Sequence, residues 1–148
     1  MSHHINRFQL MAKPSGAVCN IDCTYCYYLE KQRLYPQRQA HWKMDGATLE
    51  NYVRKNIASQ PAPTVDFHWQ GGEPTLLGID FFREALRLQE RYRGGKRISN
   101  VFQTNGINLD DDWARLLKQH GFSRWSLPRR RSSQQRCVSP DARREKYL

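Results

Sequence analysis

Three cysteines fall within eight residues, in the run Cys19-Asn20-Ile21-Asp22-Cys23-Thr24-Tyr25-Cys26, with the spacing C-x3-C-x2-C. Three thiolates on one loop can bind three irons of a cubane 4Fe–4S cluster, whose full set is commonly four cysteines. The missing fourth ligand would leave one iron open to a small molecule, as a catalytic zinc keeps one position open for substrate. Two plainer readings compete at this point. Zinc could take the same thiols with a histidine such as His41 or His68, or the three could be ordinary buried cysteines. The remaining cysteine, Cys137, stands apart in a basic tail. A cytoplasmic chain is expected to keep such thiols reduced, and a tight cluster then points to metal rather than to disulfides.

The second feature with chemical potential is Gln70-Gly71-Gly72-Glu73-Pro74. Glycines permit close backbone approach, and the Glu73 carboxylate could face an ammonium group. Both features need positioning. Residues 8–11 read as a short strand, ended by Lys13-Pro14-Ser15-Gly16. A short helix is expected through Tyr27, Tyr28, Leu29 and Glu30. Asp45 is a candidate N-cap for a helix in which Leu49, Tyr52, Val53 and Ile57 recur on one face. Val65, Phe67 and Trp69 alternate with polar residues, as on one face of a strand. Asp80 is expected to cap a helix with Phe81, Phe82, Ala85, Leu86 and Leu88 on its apolar side. Residues 98–103 read as a further strand, closed by Thr104-Asn105-Gly106. Asp110-Asp111-Asp112 then places acid at the positive end of a helix bearing Trp113, Leu116 and Leu117, with Gly121 where a C-cap glycine would fall. Repeated strand–helix alternation argues for parallel strands with crossover helices, in an open sheet or part of a barrel. The cysteine loop, the Gly-Gly-Glu-Pro turn and the Thr-Asn-Gly turn would then share the carboxyl edge, where ligands bind in such folds.

Composition limits the alternatives. The chain has 148 residues and a net charge of +10, but residues 1–120 carry 16 basic and 12 acidic groups while residues 121–148 carry 8 and 2. The imbalance therefore belongs mostly to the tail. No run approaches the roughly 18 apolar residues of a membrane-spanning helix, and the start lacks the apolar stretch of a secretory signal, so a cytoplasmic protein is expected. Residues 123–148 include 7 Arg, 5 Ser and 2 Pro with no apolar period, and no stable structure is expected there. Arg124, Arg129, Arg130, Arg131 and Arg136 could neutralise phosphates, yet no base-reading motif accompanies them. His3-His4 reads as solvated, Tyr25, Tyr27 and Tyr28 as packing beside the cysteines, and Asp110-Asp111-Asp112 as a helix start.

The cysteine loop, with Tyr25 just before the third cysteine, resembles the signature of radical S-adenosylmethionine (SAM) enzymes, and Gly71-Gly72-Glu73-Pro74 is similar to that family's second motif. In that family the open iron is chelated by SAM, which is cleaved to a radical that abstracts hydrogen from substrate. The runs Lys13-Pro14-Ser15-Gly16-Ala17-Val18-Cys19, Cys26-Tyr27-Tyr28-Leu29-Glu30-Lys31, Leu34-Tyr35-Pro36, Trp69-Gln70-Gly71-Gly72-Glu73-Pro74-Thr75-Leu76 and Gln103-Thr104-Asn105-Gly106 narrow the resemblance to the anaerobic sulfatase-maturating enzymes. These oxidise a cysteine or serine of a sulfatase to formylglycine. The resemblance implies that Cys19, Cys23 and Cys26 ligate the cluster. It implies that Tyr25 and Gly72 contact SAM through backbone atoms, and that Gln70, Gly71 and Glu73 line the same pocket. It also implies a flavodoxin or ferredoxin as electron donor and a sulfatase polypeptide as substrate. Another peptide-modifying enzyme of the same superfamily is the nearest alternative. A small zinc- or nucleic-acid-binding protein is the more distant one.

The likeness runs from about Lys13 to Phe122 and stops. The family continues with a hydrophobic strand and a Ser-x-Asp-Gly-Pro turn, then further barrel strands, a carboxylate base and a cysteine-rich region for auxiliary clusters. Here Ser123-Arg124-Trp125-Ser126-Leu127-Pro128 follows instead. A truncated or frameshifted chain is expected on that ground, with residues 1–122 as the N-terminal part of the domain and 123–148 as an unstructured basic tail. The expected fold is α/β: the first three strand–helix units of a partial (β/α) radical SAM barrel, inactive in formylglycine formation on its own.

Overall fold

Val65, Phe67 and Trp69 share one face of a six-residue strand and are 0%, 0% and 1% exposed, so the alternation read from sequence is the alternation of the core. A computed structural model describes residues 8–24, 26–28, 41–122, 124–126 and 137–138. In chain order these form β1 (Leu10–Ala12), β2 (Asp22–Cys23), α1 (Gly46–Ser59), β3 (Thr64–Trp69), a 3-10 turn (Pro74–Leu77), α2 (Ile79–Tyr92), β4 (Arg97–Gln103), α3 (Asp111–Gln119), β5 (Arg124–Ser126) and β6 (Cys137–Val138). The main sheet has the order β1-β3-β4-β5 and every pairing in it is parallel. Strand order follows chain order without reversal, as in a barrel wound in one direction rather than a doubly wound sheet.

The three α-helices among the described residues contribute to one apolar cluster. Leu49, Val53 and Ile57 of α1, Phe82, Ala85 and Leu88 of α2, and Trp113, Leu116 and Leu117 of α3 meet Val65, Phe67, Trp69 and Phe102 of the sheet. Full burial of each large side chain contributes about 1.5–3 kcal/mol. Asp45 caps α1 by accepting from the Thr48 amide at 2.7 Å. Asp110 caps α3 by accepting from the Trp113 amide at 2.9 Å. Gly121 stands just past α3 with φ 58°, the left-handed geometry that lets the chain leave the helix.

Three expectations change. The first strand is Leu10–Ala12, two residues further along than the apolar run suggested. Asp80 is not the cap of α2. Gly78 occupies that position with φ 85°, because the 3-10 turn must reverse before the helix can start. Asp80 lies in the first turn, still near the positive end of the helix, and pairs with Arg83 at 2.8 Å. Tyr27 and Tyr28 form a turn, while Leu29 and Glu30 lie outside the described residues. Within 123–148 the described residues are two short strands. Arg124–Ser126 adds to the free edge of β4, and Cys137–Val138 pairs antiparallel with β2. Backbone pairing satisfies edge N–H and C=O groups whatever the side-chain pattern, so an aperiodic sequence can still supply it. His3-His4, Arg129-Arg130-Arg131 and Arg136 lie outside the described residues.

One buried polar group was invisible in the apolar pattern. Asn100, on the helix-facing side of β4, accepts from Trp69 Nε1 at 2.8 Å and from Gln89 Nε2 at 2.9 Å, and donates to Gln89 Oε1 at 2.9 Å. Replacing Asn100 with leucine would strand the Trp69 N–H and the Gln89 amide, each costing about 1–3 kcal/mol. Urea unfolding of Asn100→Leu is therefore expected to show a loss of about 2–4 kcal/mol. Adding Gln89→Leu should recover part of it, because only the Trp69 N–H then remains orphaned.

Candidate functional site

Parallel strands put three loops on one edge: the cysteine loop after β1, the Gly-Gly-Glu-Pro turn after β3 and the Thr-Asn-Gly turn after β4. Backbone hydrogen bonds join the first two. Gln70 N donates to Ala12 O at 2.9 Å, Gly72 N to Gly16 O at 2.8 Å and Glu73 N to Val18 O at 2.8 Å. The glycines serve this contact. A Cβ on Gly72 would lie 2.0 Å from Val18 O, and one on Gly71 would lie 2.8 Å from Gly16 O. Close approach was expected towards a ligand. In the structure the Cβ positions of both glycines face the backbone of the cysteine loop.

Glu73 joins the third loop. Its side chain is fully buried, and Oε1 accepts from Thr75 N at 3.0 Å, Thr75 Oγ1 at 2.6 Å and Thr104 Oγ1 at 2.7 Å. Oε2 accepts from Asn105 N at 2.7 Å. Four donors engage the carboxylate, three at Oε1 and one at Oε2, and give it an internal role. It ties the Gly-Gly-Glu-Pro turn to the Thr-Asn-Gly turn.

The network continues to the cysteines. Asn105 Nδ2 donates to Asn20 Oδ1 at 2.7 Å and to Cys19 Sγ at 3.7 Å. Asn20 Nδ2 reaches Asn108 Oδ1 at 3.3 Å, and Asn108 Nδ2 reaches Thr75 Oγ1 at 3.1 Å. Asn20, Thr75, Thr104, Asn105 and Asn108 were not singled out from the sequence as individual site residues. The signal available was their position: Asn20 lies inside the cysteine spacing, and Thr104-Asn105-Gly106 follows a strand at the ligand-binding edge.

Burial pushes the Cys19 thiol above its ordinary pKa. The Ile21 main-chain N–H and the Asn105 amide pull it back, while the charges of Glu73 and Cys26 push it up again. Cys19 and Cys26 are free, half-buried thiols. Cys23 differs from the expectation of three reduced cysteines: it is buried and disulfide-bonded. The β2–β6 pairing sets Cys137, which the sequence left isolated, opposite Cys23 in register. Among the described residues no group of three or more His, Cys, Asp or Glu converges as a metal site. Soft thiol donors with N–H groups aimed at Cys19 fit an iron–sulfur cluster, on the condition that Cys23 is first reduced, since the thiolate is the ligand. Tyr27, expected to pack beside the cysteines, is exposed and edge-on to Tyr28, whose ring receives the Lys13 ammonium. Tyr25 lies outside the described residues.

A one-directional parallel sheet with a three-cysteine loop and a Gly-Gly-Glu-Pro turn at its carboxyl edge defines a class, and the chain belongs to the Radical SAM superfamily, which matches over residues 14–128. Within that class its similarity is to the anaerobic sulfatase-maturating enzymes. It is 47% identical over 119 residues to a serine-type anaerobic sulfatase-maturating enzyme of Klebsiella pneumoniae, covering 78% of this chain and 28% of that enzyme. It is 35% identical over 117 residues to a cysteine-type enzyme of Clostridium novyi, covering 76% and 30%. The solved structure of native anSMEcpe with bound AdoMet superposes with a TM-score of 0.64 at 33% identity, over 74% of this chain and 29% of that one. The form with bound AdoMet and Kp18Cys peptide gives 0.66, over 75% and 29%. The chain thus spans less than a third of the length of these relatives. No helix among the described residues is long and apolar enough to cross a membrane.

Proposed function

We propose that this chain is the 4Fe–4S- and SAM-binding portion of an anaerobic sulfatase-maturating enzyme, which oxidises a Cys or Ser of a sulfatase to formylglycine. The observation that carries the reading is the single hydrogen-bonded network that brings the Gly-Gly-Glu-Pro and Thr-Asn-Gly turns onto Cys19. Similarity to both serine-type and cysteine-type relatives supports the reaction class. Cys19, Cys23 and Cys26 hold the cluster. Gln70, the backbone of Gly71 and Gly72, and Tyr25 line the SAM pocket, and Glu73 contributes by holding that turn in place from behind. When bound, cluster and SAM together supply the hydrogen-atom abstraction that the side chains of this chain cannot perform. The electron comes from a flavodoxin or ferredoxin, the substrate is a sulfatase polypeptide, and the setting is the cytoplasm.

The test is anaerobic reconstitution of the dithiothreitol-reduced chain with ferrous iron and sulfide. The expected product is brown, carries about four irons per chain, and changes its electron paramagnetic resonance (EPR) signal when SAM is added. One zinc per chain with no visible absorption would overturn the reading. An aliquot never exposed to reductant is expected to take up much less iron, because the Cys23 disulfide removes one of three ligands.

A further inference from the structure

The Asn105 side chain is pinned on every side but one. Its main-chain N–H is held by Glu73 Oε2 at 2.7 Å, its Oδ1 accepts from Ile107 N at 3.0 Å, and one amide N–H goes to Asn20 Oδ1 at 2.7 Å. A primary amide has two N–H donors. The second is directed at Cys19 Sγ, 3.7 Å away. Cys19 thus receives an N–H donor from a loop other than its own. The Asn105 amide cannot rotate to give this bond up without losing the Ile107 and Asn20 contacts. Glu73, fully buried, sets the position of the turn that carries it.

We propose that Asn105 is a positioning residue for the metal centre: its amide N–H···S bond orients the Cys19 sulfur and raises the reduction potential of the cluster bound there. The inference rests on the reading of Cys19 as a cluster ligand. Reduction adds negative charge that spreads onto the ligand sulfurs, so a donor at sulfur favours the reduced state, and hydrogen bonds to sulfur are among the recognised determinants of cluster potential. The hydrogen bond also holds the side chain of a loop residue that no regular element supports.

The test uses the reduced, reconstituted full chain and its Asn105→Ala, Asn105→Asp and Asn108→Ala variants, with iron content, EPR-monitored redox titration and thermal unfolding as readouts. Asn105→Asp keeps the acceptor for the Ile107 N–H while removing the donor, so it serves where the alanine variant fails to fold. Asn108→Ala removes a more distant member of the same network, bonded to Asn20 and Thr75, and leaves the contacts of Asn105 with Asn20 and Cys19 in place. The expected result is a more negative potential in both Asn105 variants. At fixed applied potential the reduced-to-oxidised ratio should fall about threefold, or roughly 28 mV at 59 mV per decade. Asn108→Ala should titrate with the wild type. Folded Asn105 variants that lose iron while Asn108→Ala keeps it also support the inference. Folded Asn105 variants with wild-type iron and wild-type potential overturn it, as does an equal shift in Asn108→Ala. A wild-type chain that takes up no iron instead overturns the cluster reading itself.

Discussion

Glu73→Ala is expected to lower the stability of the chain by about 3–5 kcal/mol, measured by urea unfolding of protein that has never met SAM. The deletion leaves the amides of Thr75 and Asn105 and the hydroxyls of Thr75 and Thr104 without their acceptor, with Thr75 and Thr104 buried and Asn105 half-buried. An orphaned buried donor costs about 1–3 kcal/mol, and the hydroxyls can partly escape by rotating, which keeps the total below the sum of four. Glu73→Gln sharpens the argument. With its amide nitrogen towards Asn105 it strands that main-chain N–H, and with the nitrogen the other way it strands Thr75 N–H. Either orientation loses one acceptor for a group that cannot rotate, so a cost of about 1–3 kcal/mol is expected. Had the carboxylate served only to receive the ammonium of a ligand, both variants would unfold like wild type in its absence. A change under 1 kcal/mol for Glu73→Ala would sink the internal role.

The elements that carry the core were readable because burial imposes a period. Leu49, Val53 and Ile57, Val65, Phe67 and Trp69, and Trp113, Leu116 and Leu117 all face the cluster their spacing indicated. Caps were readable where a side chain does the capping, as at Asp45 and Asp110. They were not where backbone geometry does it, as at Gly78, because a 3-10 turn has no strong residue signature. The site was legible in outline only. Parallel order places three loops on one edge, but which polar groups meet there depends on side-chain directions set by tertiary packing. Asn20, Asn105 and Asn108 look like ordinary turn residues in sequence and form the link to Cys19 in space. The β2–β6 pairing had no sequence signal at all, since two residues of backbone pairing require no pattern.

The three loops act as one unit, which separates two kinds of glycine in them. Gly16 has φ 57°, and a Cβ there would meet nothing within 4 Å. An alanine is opposed only by the left-handed backbone, about 1–2 kcal/mol. Gly72 has no such φ, yet its Cβ would lie 2.0 Å from Val18 O, 2.4 Å from Val18 C and 2.7 Å from Ala17 C. All three are backbone atoms, so no rotamer change relieves the overlap. Gly72→Ala must push the turn off the cysteine loop and break Gly72 N to Gly16 O and Glu73 N to Val18 O. Two half-buried backbone bonds lost together cost about 1–3 kcal/mol, the backbone overlap adds to that, and the displaced Glu73 would draw the Thr104-Asn105 turn with it. Urea unfolding is therefore expected to rank Gly72→Ala well below Gly16→Ala in stability, although propensity alone favours alanine at a residue with ordinary φ. Hydrogen exchange should show the Glu73 and Asn105 amides losing protection together in Gly72→Ala and keeping it in Gly16→Ala. Equal stabilities would mean that the two loops can separate at no cost, and that the Gly-Gly-Glu-Pro turn is not held in place by the loop carrying Cys19.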